Sequence, residues 1–209
     1  MHADSLELVP LDCPTCGSSV EAAGADVVFY CISCRNGYRF DEAGNTLEPI
    51  EVGFVAAANI AAEGYRPFWL LPARLEIRSR EAVGAQSLSG FLQSFFGGRQ
   101  SQAGAAEEGT FVVPAFHAPL AATTELVRRY TRSLPELGER LGERLLGGCY
   151  DLEDAKKLAH FALIAAEVEK PDTLRDLDYG IRFGEARLLG VPFSRDGDTW
   201  RDAIHGIRV

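Results

Sequence analysis

Apolar and polar positions along the chain alternate in short runs, and the pattern changes after Pro49. Before it, residues 26–30 (Asp-Val-Val-Phe-Tyr) are rich in β-branched and aromatic side chains and read as a strand. Residues 38–40 read as its partner, and residues 42–45 as a turn into a third strand over 46–50. After it, residues 50–57 form an apolar run. Further on, Leu75 and Ile77 alternate with Arg74, Glu76 and Arg78, the period of a half-exposed strand, and Pro67 and Pro72 place that strand at a sheet edge or at bulges. Residues 110–116 (Thr-Phe-Val-Val-Pro-Ala-Phe) are a further strand. A helix opens at His117-Ala-Pro-Leu120 and stops at Pro135, with Leu120, Thr123, Thr124, Val127, Tyr130 and Leu134 on one face and Arg128, Arg129 and Arg132 on or near the other. Asp151 caps a second helix over residues 152–160, which residues 161–169 either extend or leave as a strand. Residues 185–193 and 199–209 are strands about a turn at Asp196-Gly197.

Strands and helices are mixed without regular alternation, and there is no glycine-rich phosphate loop. The expected fold class is α+β: a small N-terminal β ribbon over residues 1–49, then a mixed, mainly antiparallel α+β domain over residues 50–209. Residues 79–109 read as a flexible loop, punctuated by glycines among Ser, Gln and Ala. Within it Phe91, Leu92, Phe95 and Phe96 have helical spacing. That segment either covers the domain's own core or docks a protein partner through Phe91, Phe95 and Phe96. Only Arg99 is basic nearby, which argues against an anionic membrane surface. Three segments set proline beside an aromatic residue (65–69, 113–116 and 191–193), as repeated structural units or by coincidence.

The chemistry is concentrated at the front of the chain. Cys13-Pro-Thr-Cys16-Gly and Cys31-Ile-Ser-Cys34 are two Cys-x-x-Cys pairs, each able to close a knuckle with both sulfurs on one ion. Gly17 gives the first knuckle a positive φ, and Asn36-Gly37 is expected to give the second a similar freedom. A unit of about 40 residues needs such a staple, since it cannot bury a sufficient core. These residues, 11–48, resemble the zinc-ribbon and rubredoxin-like superfamily. The resemblance implies a four-thiolate Zn²⁺ at Cys13, Cys16, Cys31 and Cys34 with a structural or docking role, and no single activity. Rubredoxins hold iron on the same four sulfurs; the aromatic-rich, Gly-Tyr-following first knuckle and the Pro and Gly of their second knuckle are missing, so iron is the lesser expectation.

Charge narrows the functions further. The formal net charge is -9, and residues 1–50 contribute -6 of it, from eight acids against two bases. A ribbon that reads nucleic acid needs clustered Lys and Arg, so this one is not expected to. A nucleic-acid role would require a basic face from Arg74, Arg78 and Arg80 with the Arg128 cluster. Residues 1–10 lack the basic and apolar regions of a signal peptide, which points to a reducing cytoplasm where paired cysteines bind metal. The longest apolar-rich stretches, 53–62 and 161–168, are far short of the ~20 residues that span a bilayer.

No catalytic constellation is legible. His2 falls in the terminus, His117 has a local role at a helix start, His160 lies at a helix C-terminus, and His205 is exposed in a terminal strand. Cys149 is a lone thiol read as a small buried hydrophobe. The acids Asp172, Asp176, Asp178 and Glu185 miss the calcium-loop spacing and read as solvated charge. The expected function is a non-enzymatic accessory or assembly protein that docks onto a protein partner. The alternatives are an enzyme using His117, Cys149 or the arginines 128, 129 and 132, and a nucleic-acid-associated factor.

Overall fold

The structure, a computed structural model, describes residues 11–41, 45–56, 62–83, 107–138, 144–168 and 173–209. The segment carrying Phe91, Phe95 and Phe96 lies outside the described residues. The first three strands, β1 (Val28–Cys31), β2 (Asn36–Asp41) and β3 (Thr46–Ile50), form an antiparallel meander in the order β1-β2-β3. The remainder builds a seven-stranded sheet from β4 (Val52–Val55), β5 (Gly64–Val83), β6 (Glu107–Pro114), β7 (Leu137–Gly138), β8 (Thr173–Phe183), β9 (Arg187–Asp196) and β10 (Thr199–Asp202). Two helices, α1 (Leu120–Arg132) and α2 (Leu152–Val168), complete an α+β fold. Among these pairings β4 with β9 is parallel and the rest are antiparallel.

The 20-residue β5 is the axis of the sheet, not its edge. One side pairs with β6 and the other with β8 and β9, which follow one another along it. Both prolines in β5 fit because each turns its missing donor toward a gap. The Pro67 carbonyl accepts from Ala115 just past the end of β6, and the Pro72 carbonyl accepts from Gly184 where β8 gives way to β9. Residues 79–83, expected in a loop, continue β5 against β8, and residues 107–109 begin β6.

Alternation along β5 sends side chains into two cores. Trp69, Leu71, Ala73, Leu75 and Ile77 join one core with the alanine-rich face of α2 (Ala155, Ala159, Ala162). Phe68 and Leu70 join the other, with Val112, Leu189, Val191 and Phe193. Helix α1 lies against β6 and sends Val127 to the first core and Leu126 and Tyr130 to the second. Its buried stripe is Thr123, Leu126, Val127, Tyr130 and Thr131. Leu120 and Leu134, expected on that stripe, stay outside at 60% and 51% exposure, because the helix begins at one and has ended before the other.

The three proline-aromatic segments are not repeats. They are neighbouring chain segments that deliver Phe68, Phe116 and Phe193 to one spot, with ring centroids 5.4 to 6.3 Å apart. Each such ring stabilises by about 1.5–3 kcal/mol through burial alone.

Candidate metal centre

The two knuckles are fixed by backbone bonds before any ion is considered. Gly17 donates to the Cys13 carbonyl (2.8 Å) and Cys13 donates to Ser18 (2.8 Å), with Gly17 at φ 69°. In the second knuckle Arg35 donates to the Cys31 carbonyl (2.7 Å) and itself takes the left-handed conformation, φ 60°. The expected role of Gly37 there is therefore corrected. Gly37 is needed for close packing, since a Cβ at that position would run into the Val52 side chain.

The knuckles bring the sulfurs of Cys13, Cys16, Cys31 and Cys34 within 4.8 Å of one another. Cys13 Sγ lies 3.5 Å from Cys34 Sγ, and Cys16 Sγ 3.6 Å from Cys31 Sγ. A tetrahedral ion with metal–sulfur bonds of ~2.3 Å sets its sulfurs ~3.8 Å apart, so the cluster can hold a metal ion with little adjustment. Four thiolates would close the coordination shell and leave no position for water.

Side chains around the sulfurs complete the site. The Tyr38 hydroxyl, fully buried, stands 3.2 Å from Cys13 Sγ and 3.8 Å from Cys34 Sγ, and donates to Thr15 Oγ1 at 2.7 Å. Asn36 donates its amide to Cys34 Sγ at 3.5 Å. Burial works against ionising Cys13, but the Tyr38 hydroxyl and the backbone N–H groups of Cys16 and Thr15 outweigh it and hold the thiol at about 6. Burial, with the neighbouring cysteine sulfurs, outweighs the backbone N–H of Cys34 at Cys31 and pushes that thiol up to about 11. Spacing alone found the four cysteines but not Tyr38, Thr15 or Asn36.

No family model, curated protein or solved structure matches the chain. What the site can do is read from its own residues.

The ribbon is not a free module. Strand β1 gives Phe29 and Cys31 to the ribbon's own small core and Val28 and Tyr30 to the large one. Tyr30 meets Phe54 edge-on at 5.4 Å, and Phe54 meets Tyr65 at 5.3 Å. Val27 and Val28 both donate to the Gly148 carbonyl, at 2.7 and 3.0 Å. Gly148 is the seat of this contact: a Cβ there would lie 2.7 Å from the Ala115 carbonyl oxygen and 2.9 Å from the Pro67 ring.

The other candidate residues are dispersed. His117, expected to serve the start of α1, makes no cap bond there; its Nδ1 bonds the Tyr150 hydroxyl at 2.8 Å, 33 residues away. His160 is not at a helix C-terminus, because residues 161–168 continue α2; it lies mid-helix, half-buried, bonded to the Tyr179 hydroxyl at 3.1 Å. His205 is exposed in a turn after β10 rather than in a strand, with its ring against Tyr130 at 4.7 Å. Cys149 is half-buried. The basic face required for nucleic acid is interrupted by acids: Arg78 pairs with Asp178, and Arg128 and Arg129 both pair with Glu125. Among the described residues the four cysteines are the one group of metal-ligating side chains that comes together. No helix among them is long and apolar enough to cross a membrane.

Proposed function

We propose that this chain is a zinc-stabilised cytoplasmic accessory protein, in which the ribbon is a rigid docking element for a protein partner. One observation carries the reading. The inner face of β1 is consumed by contact with the large sheet, while the ribbon also offers a cleft of about 730 Å³ lined by Leu11, Pro14, Ala23, Phe29, Phe40 and Leu47. Asp12 and Asp26 stand at the cleft, in a segment of net charge -6. That combination suits a partner segment presenting a bulky apolar side chain among basic residues. A closed four-thiolate shell suits a metal that holds the cleft in shape rather than one that performs chemistry.

Two experiments test the parts separately. Metal analysis of protein grown without added iron should return one zinc per chain; stoichiometric iron with a red chromophore would overturn the zinc assignment. A photo-crosslinking residue at position 47 should capture one recurring host protein, and Leu11→Asp should abolish the adduct. Adducts confined to residues 1–10 of the same chain would mean that the cleft is filled internally, and the docking reading would fail.

A further inference from the structure

Strand β8 is a long edge. Among the described residues its 11 positions pair with β5 alone. The N–H and C=O groups on its other side are a template for a further strand. Edges of this kind are blunted by prolines, bulges or a covering element. At the opposite edge of the sheet α1 lies against β6, and Thr131 Oγ1 accepts the Val112 N–H at 3.1 Å. β8 has no proline, and from Asp176 to Phe183 its residues pair in unbroken order.

The sequence of β8 is complementary to itself. A second β8 laid antiparallel about a two-fold axis at Gly180 meets the first with residues equally far before and after that glycine. Asp178 then falls opposite Arg182 twice, Tyr179 opposite Ile181 and Leu177 opposite Phe183; at the ends Arg175 falls against Glu185. An axis perpendicular to the sheet keeps inner residues inner, so apolar positions meet on the core side and opposite charges meet outside. Gly180 meets its own copy and leaves the axis uncrowded. Gly180 also lets Arg78 lie across β8, since a Cβ there would stand 3.1 Å from Arg78 Nη2. Arg78 reaches the exposed Asp178 carboxylate at 2.9 Å and holds it in place, with an oxygen left for a second guanidinium. Arg182 is exposed and stands opposite Arg74 in its own sheet, a like-charge pairing that a carboxylate from a second copy relieves.

The helix over this edge adds apolar surface. His160 of α2 bonds Tyr179 of β8, and Ile164, one turn on, lies on the same side of the helix, with Phe161 on its outer face. Both are 42% exposed. With two sheets joined, both α2 helices lie on one face of the continuous sheet and turn Ile164 toward each other.

We propose that this chain forms a homodimer in which two β8 edges pair antiparallel about Gly180, Asp178 of each copy bound to Arg182 of the partner subunit. The surface uses none of the residues of the ribbon cleft and is independent of the docking reading.

Sedimentation velocity of the metal-loaded full chain across a dilution series should show a monomer–dimer equilibrium. Arg182→Asp turns both attractive pairs repulsive while placing an acid opposite Arg74 in its own sheet. The dimer should weaken about tenfold or more, with the melting point of the dilute monomer not lowered. Asp178→Arg should weaken it likewise. The two variants mixed restore both pairs, and native mass spectrometry should return their heterodimer in preference to either homodimer. A wild-type chain that is monomeric at every concentration would overturn the proposal and leave the edge to its own chain or to another partner. A dimer indifferent to both substitutions would place the contact elsewhere, and two folded variants that form no heterodimer would remove the pairing; either result would overturn it as well.

Discussion

At the scale of single residues, the Tyr38 hydroxyl stands against two of the four sulfurs, Cys13 and Cys34. Once Cys13 is a metal-bound thiolate it can only accept, so Tyr38 donates to it and Thr15 donates in turn to Tyr38. Tyr38→Phe removes a bond to a charged acceptor, and the expected result is a metal affinity about 10- to 100-fold weaker in competition with a chromophoric chelator. A second residue-scale knot lies at Asp202, fully buried, whose carboxylate accepts from the Tyr130 hydroxyl and from the backbone N–H groups of Ile204 and His205. Burial and the neighbouring Asp202 raise Tyr130 so that it remains a donor. Asp202→Ala strands all three donors, and urea unfolding should register a loss of about 2–4 kcal/mol. The cysteines were legible because ligands of one ion sit at fixed local spacing. Tyr38 and Asp202 were not, because their partners lie 25 and 72 residues away and nothing local marks the pairing.

At the scale of elements, strand β8 was hidden by its acids. Asp176 and Asp178 drew the reading toward solvated charge, yet Leu177, Tyr179, Ile181 and Phe183 alternate beside them and pack on the large core. Helix α2 covers that face, and His160 is the contact point, its ring 5.9 Å from Phe183. Burial lowers the pKa of His160, and a neutral imidazole accepts the Tyr179 hydroxyl at Nδ1. The folded state therefore binds this proton less readily than the unfolded chain. The stability that follows is complete above the unfolded value of about 6.5 and is lost as pH falls through it, levelling off below the folded value. Thermal melting points of the wild type should fall more steeply than those of His160→Gln between neutral and mildly acid pH. The seat of the ribbon can be tested just as directly. Gly148→Ala forces a methyl group against backbone and a proline ring, and should cost about 1–3 kcal/mol. Gly24→Ala, with nothing within 4 Å, should change stability by less than about 0.5 kcal/mol. The paired glycines 147 and 148 were visible in the sequence, but their meaning depends on β1 lying across them.

For the whole molecule, the sharing of β1 between two cores would join metal binding to global stability. Stripping the metal with a chelator loosens Phe29 and Cys31 on one side of a strand whose other side carries Val28 and Tyr30. Calorimetry should show one transition moved to lower temperature; a separate early ribbon transition with the main one unmoved would contradict that coupling. The α+β class and the three-stranded ribbon could be anticipated from local patterns. The central position of β5 could not, because edge and centre differ by which strands arrive alongside, and those arrive from residues 107–114 and 173–196. The bonds between Val28 and Gly148 also set an order of events on the ribosome. All four sulfurs are present once residue 34 has emerged, the second knuckle closes with Arg35, and the ribbon's last strand is complete at residue 50. The seat for Val28 follows with Gly148, 98 residues after the end of β3, an interval of roughly 5–20 s at elongation speeds of about 5–20 residues per second. Throughout that interval Val28 lacks its Gly148 seat on a ribbon whose strands have all emerged, which makes the newborn chain, more than the finished one, the form in need of a chaperone.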